Sequence, residues 1–316
     1  MKVIEHLANA SSPSISFEII PPLRGGNVTT LMDLIEDLSK FDPPFIDITS
    51  HGSQVIYEET ADGIKRKVKR KRPGTLGICA LIQNKYDIDA VPHVLCLGFN
   101  REETEDFLIE LNYLGIDNVL AIRGDENGFK KPLQYGRTSN DVASELVAQI
   151  AGMNQGHYLE ESLLNAEPTQ FCVGVAGYPE KHFQAPNIAT DIRHTREKVD
   201  AGSEYIVTQM FFDNSHYFSY VESCRAAGIE VPIIPGVKIL TTKKQLSTIP
   251  SKFYCDIPSE LADEVEAAKP EHVLEIGVEW AYKQSVDLLD RGVPSLHFYL
   301  MQSSKAVKLL MAKLRP

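Results

Sequence analysis

The sequence lacks the features that would place it in a membrane or on a disulfide scaffold. Its five cysteines are widely spaced along 316 residues and form no Cys-x-x-Cys pair. This excludes a disulfide framework and a cysteine zinc site, and it indicates reduced thiols. No apolar stretch is long enough to cross a bilayer, and the segment Met1 to His6 lacks the apolar core of a secretion signal. We therefore expect a cytoplasmic protein that does not bind membranes.

Three common motifs are also absent. The sequence contains no GxGxxG, no GxxxxGK[ST] and no GxSxG pattern. Neither a Rossmann dinucleotide site, nor a P-loop, nor a hydrolase nucleophile elbow is therefore indicated. The net charge of −11 argues against a general nucleic-acid binder. With 43% apolar and 24% charged residues, the composition is that of an ordinary globular protein.

Extended apolar runs alternate with helical patterns along the chain. We predict strands near residues 14–20, 44–49, 75–81, 117–123, 171–176, 204–210, 231–235 and 294–299. We predict helices near residues 28–41, 53–71, 101–115, 139–153, 190–201, 214–227, 271–291 and 303–314. Eight strand–helix units are typical of a TIM barrel. A doubly wound open sheet is the alternative, but it usually has fewer strands.

The predicted fold is an α/β protein, a (β/α)8 TIM barrel in which residues 1–316 form a single catalytic domain. Two insertions, near residues 126–138 and 240–270, exceed a minimal barrel. Loops after the strands form the site in such barrels, so both insertions are candidates for ligand contacts. The basic run 65–72 is interpreted as the solvated end of a helix rather than a nucleic-acid patch.

Glu18 is a single carboxyl in an otherwise apolar strand, Ser16 to Ile20. The alternation of a strand places it on the opposite face from Phe17 and Ile19. One interpretation is a buried glutamate paired with an arginine or lysine elsewhere, because burying an unpaired charge is costly. The other is a functional group, since apolar surroundings raise the pKa of a carboxyl and suit it to donate a proton near neutral pH.

The segment Arg123-Gly124-Asp125 follows the apolar run that ends at Ile122. Polar groups at the C-terminal end of a barrel strand are typical of an active site. The glycine would also let a ligand approach the backbone closely. A salt bridge within the loop is the alternative.

Two other segments carry polar groups after predicted strands. His182 closes the segment Tyr178-Pro179-Glu180-Lys181-His182, and no second histidine or cysteine has ligand spacing to it. We therefore predict no metal site and favour a contact to a phosphate or sugar hydroxyl. Asp191 and Lys198 are seven residues apart on one helix face, either as functional groups or as a solvated surface pair. Gln209 either reads the edge of a heterocycle or bonds to neighbouring backbone.

Nine short segments, in the same order over nearly the whole chain, resemble the methylenetetrahydrofolate reductase family. They are Ser16-Phe17-Glu18 with Pro21-Pro22, Asp47-Ile48-Thr49, Pro92-His93-Val94-Leu95-Cys96, Ala121-Ile122-Arg123-Gly124-Asp125, Val175-Ala176-Gly177-Tyr178-Pro179-Glu180-Lys181-His182, Lys198-Val199-Asp200-Ala201-Gly202, Thr208-Gln209-Met210-Phe211-Phe212-Asp213, Ile233-Ile234-Pro235-Gly236 and His297-Phe298-Tyr299. One such segment is a weak match, but nine in register are specific. The length is similar to that of the bacterial form, a catalytic barrel without the regulatory domain of eukaryotic relatives.

The resemblance implies a TIM barrel that binds FAD without a Rossmann motif. It implies that NADH or NADPH reduces the flavin and leaves. Methylenetetrahydrofolate then binds at the same flavin face and is reduced to methyltetrahydrofolate, a step of one-carbon metabolism that supplies methionine. Its partners would be these small-molecule folate and nicotinamide substrates, and relatives suggest a homo-oligomer.

The resemblance also implies roles for individual residues. Glu18 would be the general acid that promotes opening of the five-membered folate ring to an iminium. Asp125 would lie near the flavin and the pterin and tune both electrostatically, and Gln209 would contact the folate or the nicotinamide. The positions that match cofactor contacts are Thr49, His93, Arg123, Gly124, Asp125, Tyr178, His182, Asp191 and Lys198, with Gly136, Ala176 and Ala185 as lesser candidates.

The sequence departs from the family pattern at several positions. Thr49-Ser50-His51-Gly52 stands where bacterial relatives often have Thr-Tyr-Gly-Ala. Lys243 stands where an aromatic residue can stack on the folate, and Ser303 where an arginine can contact the substrate.

Two other functions stay open. One is a different FAD-binding barrel oxidoreductase, of the amino-acid dehydrogenase type, which the set of Glu18, Arg123-Gly124-Asp125 and Tyr178 to His182 disfavours. The other is a non-catalytic barrel that acts as a binding partner, which the joint presence of Glu18, Asp125 and Gln209 disfavours.

Overall fold

A computed structural model describes residues 1–72, 74–125, 131–163, 165–300 and 303–314. The strands are β1 Ser14–Ile19, β2 Phe45–Ile48, β3 Gln54–Thr60, β4 Gly63–Lys69, β5 Asp89–Leu95, β6 Asn118–Ile122, β7 Cys172–Gly177, β8 Tyr205–Thr208, β9 Ile233–Ile234, β10 Gly236–Val237 and β11 Ser295–Tyr299. The helices are α1 Val3–Asn9, α2 Val28–Ser39, α3 Leu76–Tyr86, α4 Arg101–Tyr113, α5 Ala143–Met153, α6 Ile188–Asp200, α7 Asn214–Ala226, α8 Gln245–Phe253, α9 Ser259–Ala267, α10 Val273–Asp290 and α11 Lys305–Leu314. A short 3-10 helix, Pro270–His272, precedes α10.

Parallel strands form a closed barrel. Their order in the sheet is β10-β11-β1-β2-β5-β6-β7-β8-β9. Only Pro235 separates β9 from β10 in sequence, and β9 pairs with β8 while β10 pairs with β11. This one segment therefore occupies a single position in the ring and closes it, which gives the eight positions of the predicted TIM barrel.

One face of each barrel strand packs against the surrounding helices, and the other face lines the barrel interior. On β1, Phe17 and Ile19 pack outward in the large hydrophobic cluster that includes Leu34 and Leu38 of α2. Ser16 and Glu18 alternate with them and face the barrel interior. In the register of the sheet, Glu18 lies beside Asp47 on β2 and Tyr299 on β11.

The N-terminal end of the barrel is closed by an apolar plug. The residues that pack together there are Val3, Phe45, Val91, Leu120, Cys172, Tyr205, Val207 and Ile234, with Ile4 and Leu7 against them. Helix α1 is held in place because the Val3 amide donates to Asn118 Oδ1 at 2.8 Å and Asn118 Nδ2 donates to the Met1 carbonyl at 2.9 Å. Side chains that fill the barrel at this end leave the opposite, C-terminal end for ligands.

Two predicted elements are wrong. The predicted helix 53–71 is an antiparallel hairpin of β3 and β4, so the basic run 65–72 lies on and after an exposed strand instead of ending a helix. The predicted strand 75–81 is part of helix α3, and the third barrel strand is β5. The hairpin leaves the barrel after β2, at the C-terminal end, and its base is fixed where Arg72 donates to the Pro21 carbonyl.

The two predicted insertions differ in what the structure describes. Of the first, residues 126–130 lie outside the described residues, and 131–138 form an extended segment with a turn. The second, 240–270, contains α8 and α9. It contacts the loop after β7, because the Asp256 amide donates to Glu180 Oε2 at 2.6 Å. In the described part of the chain, none of the helices combines the length and apolar character that a membrane span requires.

Candidate active site

The predicted site residues gather at the C-terminal end of the barrel. Half of them lie on β2, β5, β6 and β7, which are neighbours in the ring, or directly after these strands: Thr49, His93, Arg123, Gly124, Asp125, Ala176 and Tyr178. Glu18 on β1 and Gln209 after β8 complete the rim. The site is therefore where strand ends of a barrel place it.

Glu18 lies at the centre of a buried group of ionisable side chains. Its side chain is 15% exposed, and Oε2 is 3.4 Å from Nε2 of His93, which is 5% exposed. The same His93 nitrogen is 3.6 Å from Oδ2 of Asp47, which is 0% exposed. Burial raises the pKa of Glu18 to about 7, opposed by His93 and Lys238 and reinforced by Asp47. A carboxyl with this pKa is still partly protonated at neutral pH and can donate its proton.

The buried cation near Glu18 is Lys238, which follows β10. Its Nζ donates to the carbonyl of Tyr299 at 2.8 Å, on the strand next to β1. Burial lowers the pKa of Lys238 to about 8, and the carboxyl of Glu18 opposes that shift. The Tyr299 hydroxyl is fixed in turn, since it donates to the Thr208 carbonyl at 2.5 Å. This side of the site is thus rigidly hydrogen-bonded.

The segment after β7 and helix α6 form a second cluster. The His182 amide donates to Asp191 Oδ2 at 3.0 Å, and the rings of Tyr178 and His182 meet edge to face at 4.5 Å. Lys198 Nζ donates to the carbonyl of Ala176 at 2.5 Å. Asp191 and Lys198 are both buried, so the interpretation of a solvated surface pair is wrong. Burial lowers the pKa of Lys198 to about 8, although Asp191 opposes that shift.

Ala185 and Gly136 occupy different surroundings. Ala185 is buried in the same cluster, and its carbonyl accepts a hydrogen bond from Lys181 Nζ at 2.7 Å. Gly136 lies in an exposed turn, with a positive φ of 79°. Its neighbour Arg137 pairs with Glu102 at the start of α4, at 3.3 Å.

The segment Arg123-Gly124-Asp125 leaves β6 between these two clusters. Arg123 donates to Gln184 Oε1 at 2.9 Å and to the Asp141 carbonyl at 3.3 Å. Gly124 has a positive φ of 87°, which explains the glycine. Asp125 is exposed. Burial, then Asp191 and Asp125, raise the pKa of Tyr178, and Asp125 opposes the lowering of the His51 pKa by burial. Asp125 therefore lies within electrostatic reach of both rings.

Gln209 lies at the end of β8, across the rim. Its Oε1 accepts the backbone amide of Met210 at 2.9 Å, which matches the interpretation of an amide bonded to neighbouring backbone. Within the described residues, its amide nitrogen makes no hydrogen bond, so the donor end is available to a ligand. Phe211 and Phe212, which follow it, are buried in hydrophobic clusters and serve as packing.

Two of the departures from the family pattern, Lys243 and Ser303, are hydrogen-bonded within the protein. Lys243 Nζ donates to the carbonyl of Glu266 at the end of α9, at 2.7 Å. The Ser303 hydroxyl accepts the backbone amide of Lys305 at the start of α11, at 3.3 Å. Both side chains therefore support the ends of helices.

Sequence reasoning missed two residues of the central group, Asp47 and Lys238. Both could have been found by the signal that identified Glu18, a charge in an apolar strand or at its end. Asp47 interrupts Phe45-Ile46-Asp47-Ile48, and Lys238 follows Gly236-Val237. Each faces the barrel interior at the same end as Glu18.

Comparison with known proteins gives the same assignment. The family model described as methylenetetrahydrofolate reductase matches residues 3–315. Methylenetetrahydrofolate reductase 1 of Schizosaccharomyces pombe is 31% identical over 304 residues, which are 95% of this chain and 45% of that protein. 5,10-Methylenetetrahydrofolate reductase of Escherichia coli is 28% identical over 300 residues, 92% of this chain and 87% of that protein. The chain thus spans about half the length of the eukaryotic relatives.

A solved structure shares the fold. An uncharacterised protein from Clostridium thermocellum that binds two copies of 5-methyl-5,6,7,8-tetrahydrofolic acid superposes with a TM-score of 0.59 at 13% identity, over 98% of this chain and 96% of that one. This likeness supports the barrel architecture alone. Because the family model covers almost the whole chain, the chain belongs to the methylenetetrahydrofolate reductase family.

Proposed function

We propose that this protein reduces methylenetetrahydrofolate to methyltetrahydrofolate with FAD as its cofactor and NADH or NADPH as the reductant. The observation that carries the proposal is the carboxyl of Glu18. It faces the open end of the barrel, and its pKa is raised to about 7. Opening the five-membered ring of the substrate requires a proton donor at a ring nitrogen, and this carboxyl can be one at neutral pH.

The residues around the rim fit a flavin cofactor. Thr49 Oγ1 and His51 Nδ1 are buried polar atoms without a hydrogen-bond partner among the described residues, as expected of groups that bond to a ligand. The side chains that would hold FAD are Thr49, His93, Arg123, Asp125, Tyr178, His182, Asp191 and Lys198, with the backbone of Gly124, Gly136, Ala176 and Ala185. When bound, FAD supplies the hydride chemistry that amino-acid side chains lack.

The chain's own residues orient the substrate and handle protons and charge. Glu18 Oε holds the proton that goes to the folate ring nitrogen. The Asp125 carboxylate stabilises the positive charge that develops when the ring opens, because opposite charges attract. The free amide nitrogen of Gln209 can donate to the folate or to the nicotinamide. The homo-oligomer expected from the resemblance belongs to this proposal, and analytical ultracentrifugation tests it.

Anaerobic stopped-flow absorbance tests the proposal, since the two half-reactions can be followed separately. The purified protein should be yellow, and NADH or NADPH should bleach the flavin band. Methylenetetrahydrofolate should then restore it, whereas proline-like acids should not. A colourless protein, or a bleached flavin that methylenetetrahydrofolate leaves unchanged, would refute the proposed function.

A further inference from the structure

One nitrogen of His93 is shared by two carboxyl groups. Nε2 is 3.4 Å from Oε2 of Glu18 and 3.6 Å from Oδ2 of Asp47. Within the described residues, neither this nitrogen nor either oxygen of Asp47 makes a hydrogen bond. Buried polar groups are seldom left unpaired. The three side chains are therefore close enough for a small rotation to join His93 to either carboxyl.

The choice between the two carboxyls matters for Glu18. A neutral imidazole nitrogen carries either a proton or a lone pair, so Nε2 serves one partner at a time. An N–H that pointed at Glu18 would stabilise its carboxylate and lower its pKa. A lone pair that faced Glu18 would accept its proton. Either contact would compete with delivery of that proton to a substrate.

Burial favours Asp47 as the partner. Asp47 is 0% exposed and Glu18 is 15% exposed, so Asp47 is the more costly of the two to ionise. Desolvation raises the pKa of Asp47 well above its usual range and lowers the pKa of His93. Both shifts favour the uncharged forms, a protonated carboxyl and a neutral imidazole. The Asp47 hydroxyl can then donate to the lone pair of Nε2.

The other ionisable groups around the pair do not replace this contact. They are His51 after β2, Cys79 on α3, Tyr205 on β8, Lys238 after β10, and His297 and Tyr299 on β11. His297 bonds to Ser16 Oγ at 2.8 Å, and burial lowers its pKa to about 3, so it is neutral. Burial raises the pKa of Cys79, Tyr205 and Tyr299 and lowers that of His51, which leaves them uncharged near neutrality. The positive charge of Lys238 opposes the raised pKa of Glu18. Its Nζ is held by the Tyr299 carbonyl on β11, the strand next to β1.

We propose that Asp47 is a positioning residue for the catalytic acid: its protonated carboxyl donates to Nε2 of His93 and keeps that nitrogen from Glu18. Asp47 does not touch the substrate in this arrangement. The kinetic consequence rests on the proposed function. The proposed hydrogen bond itself does not, because its formation requires no bound substrate.

Two substitutions at position 47 separate a hydrogen bond from a charge. Asp47→Ala removes the donor and frees His93 to contact Glu18. Asp47→Asn keeps an N–H donor in nearly the same shape but carries no ionisable proton. In Asp47→Ala, the pH at which folate reduction falls to half should drop by about one unit or more, the size of shift that a hydrogen bond to the charged form produces. In Asp47→Asn, that midpoint should remain close to the wild type.

Stopped-flow measurement of both half-reactions across pH gives the midpoint of folate reduction for the wild type and for both variants. Bound FAD and the rate of its reduction by the nicotinamide report whether each variant is folded. If both variants shift the midpoint equally, Asp47 acts through its charge and the hydrogen-bond proposal is overturned. An unshifted midpoint in Asp47→Ala also overturns it.

An infrared titration of the oxidised protein without folate keeps the test independent of the proposed function. Difference spectra against Glu18→Gln and Asp47→Asn should identify two protonated carboxyl bands at neutral pH, one from each residue. In Asp47→Ala, the Glu18 band should disappear at lower pH than in the wild type. If the wild type does not reduce folate at all, the proposed function fails while this titration still decides the role of Asp47. Absence of the Asp47 band at neutral pH would contradict the proposal that Asp47 is protonated and donates to His93.

Discussion

The two ends of the barrel are built from the same strands, but one end is packed with apolar side chains and the other holds ionisable ones. At the N-terminal end, Phe45, Val91, Leu120 and Val207 fill the interior, and helix α1 covers them. Further along β1, β2 and β5, the interior positions are Glu18, Asp47 and His93. On β2, only Ile46 separates the buried ring of Phe45 from the buried carboxyl of Asp47.

This contrast shows how the fold accommodates buried ionisable side chains. Burying a carboxyl without a full set of hydrogen bonds costs free energy, and apolar packing elsewhere in the same strands offsets that cost. In barrels, stability is a property of the N-terminal end and function of the C-terminal end. Substitutions at the N-terminal end should therefore change stability more than activity, and substitutions at the C-terminal end should change activity more than stability.

The largest effect is expected from Glu18→Gln. Glutamine keeps the shape but cannot donate a proton to the folate, so the folate half-reaction should slow by about 10² to 10⁴-fold, the usual contribution of a general acid. FAD binding and flavin reduction by the nicotinamide should persist. Single-turnover stopped flow measures both steps, and wild-type folate reduction in this variant would remove Glu18 from the acid role.

Phe45→Ala alters the apolar plug at the N-terminal end of the barrel. The ring is 0% exposed and stacks against His297 at 6.4 Å between centroids. Its removal leaves a cavity and should lower the free energy of unfolding by about 3–5 kcal/mol. Denaturant unfolding measures the change. A loss below about 1 kcal/mol would show that the apolar plug does not stabilise the barrel as described.

Asp125→Asn is expected to have an intermediate effect on rate. The side chain is exposed at the rim, so the loss of its charge should slow folate reduction by about tenfold, equivalent to roughly 1.4 kcal/mol of transition-state stabilisation. The variant should remain a flavoprotein. Unchanged rates for both half-reactions would argue that Asp125 does not stabilise developing charge.

The smallest effect is expected from Ile64→Ser, in the hairpin that belongs to neither end of the barrel interior. Ile64 is 75% exposed near the turn between β3 and β4. Its replacement should change the free energy of unfolding by no more than about 0.5 kcal/mol. The same denaturant experiment makes it the matched control for Phe45→Ala, and a change as large as that of Phe45→Ala would indicate a buried role for the hairpin.

The sequence predicted the barrel and the rim because both depend on local patterns. Apolar runs with a period of two identify most of the strands, and polar residues at their ends identify Glu18, Arg123 to Asp125 and Gln209. The residue resemblance then grouped Tyr178, His182, Asp191 and Lys198, which the structure places together after β7.

The errors have physical causes that lie in the segment 53–95. The turn Asp62-Gly63 is a strong hairpin signal, and Gly63 has a positive φ of 122°, but the run of basic residues after it also suits a helix end. The short apolar run 75–81 has no periodicity that separates a strand from a helix. Pro92 within β5 cannot donate to the sheet and so weakens the strand signal there.

Asp47 and Lys238 were missed for a different reason. Their importance depends on which strands are neighbours in space: β1, β2 and β5 bring Glu18, Asp47 and His93 together. Chain order alone does not give the distances of 3.4 and 3.6 Å that connect them. The local pattern marks each of these charges singly, and tertiary contact shows that they form one group.

The most direct test of the account is the pH dependence of wild-type folate reduction in single turnover. The pKa of Glu18 is raised to about 7, and the acid must be protonated to act. The rate should therefore be constant at acidic pH and fall about tenfold per unit above pH 7, while flavin reduction by the nicotinamide should lack this fall. A folate rate that stays constant as pH rises well above 7, or one that rises there, would contradict the claim that Glu18 is held protonated as the acid.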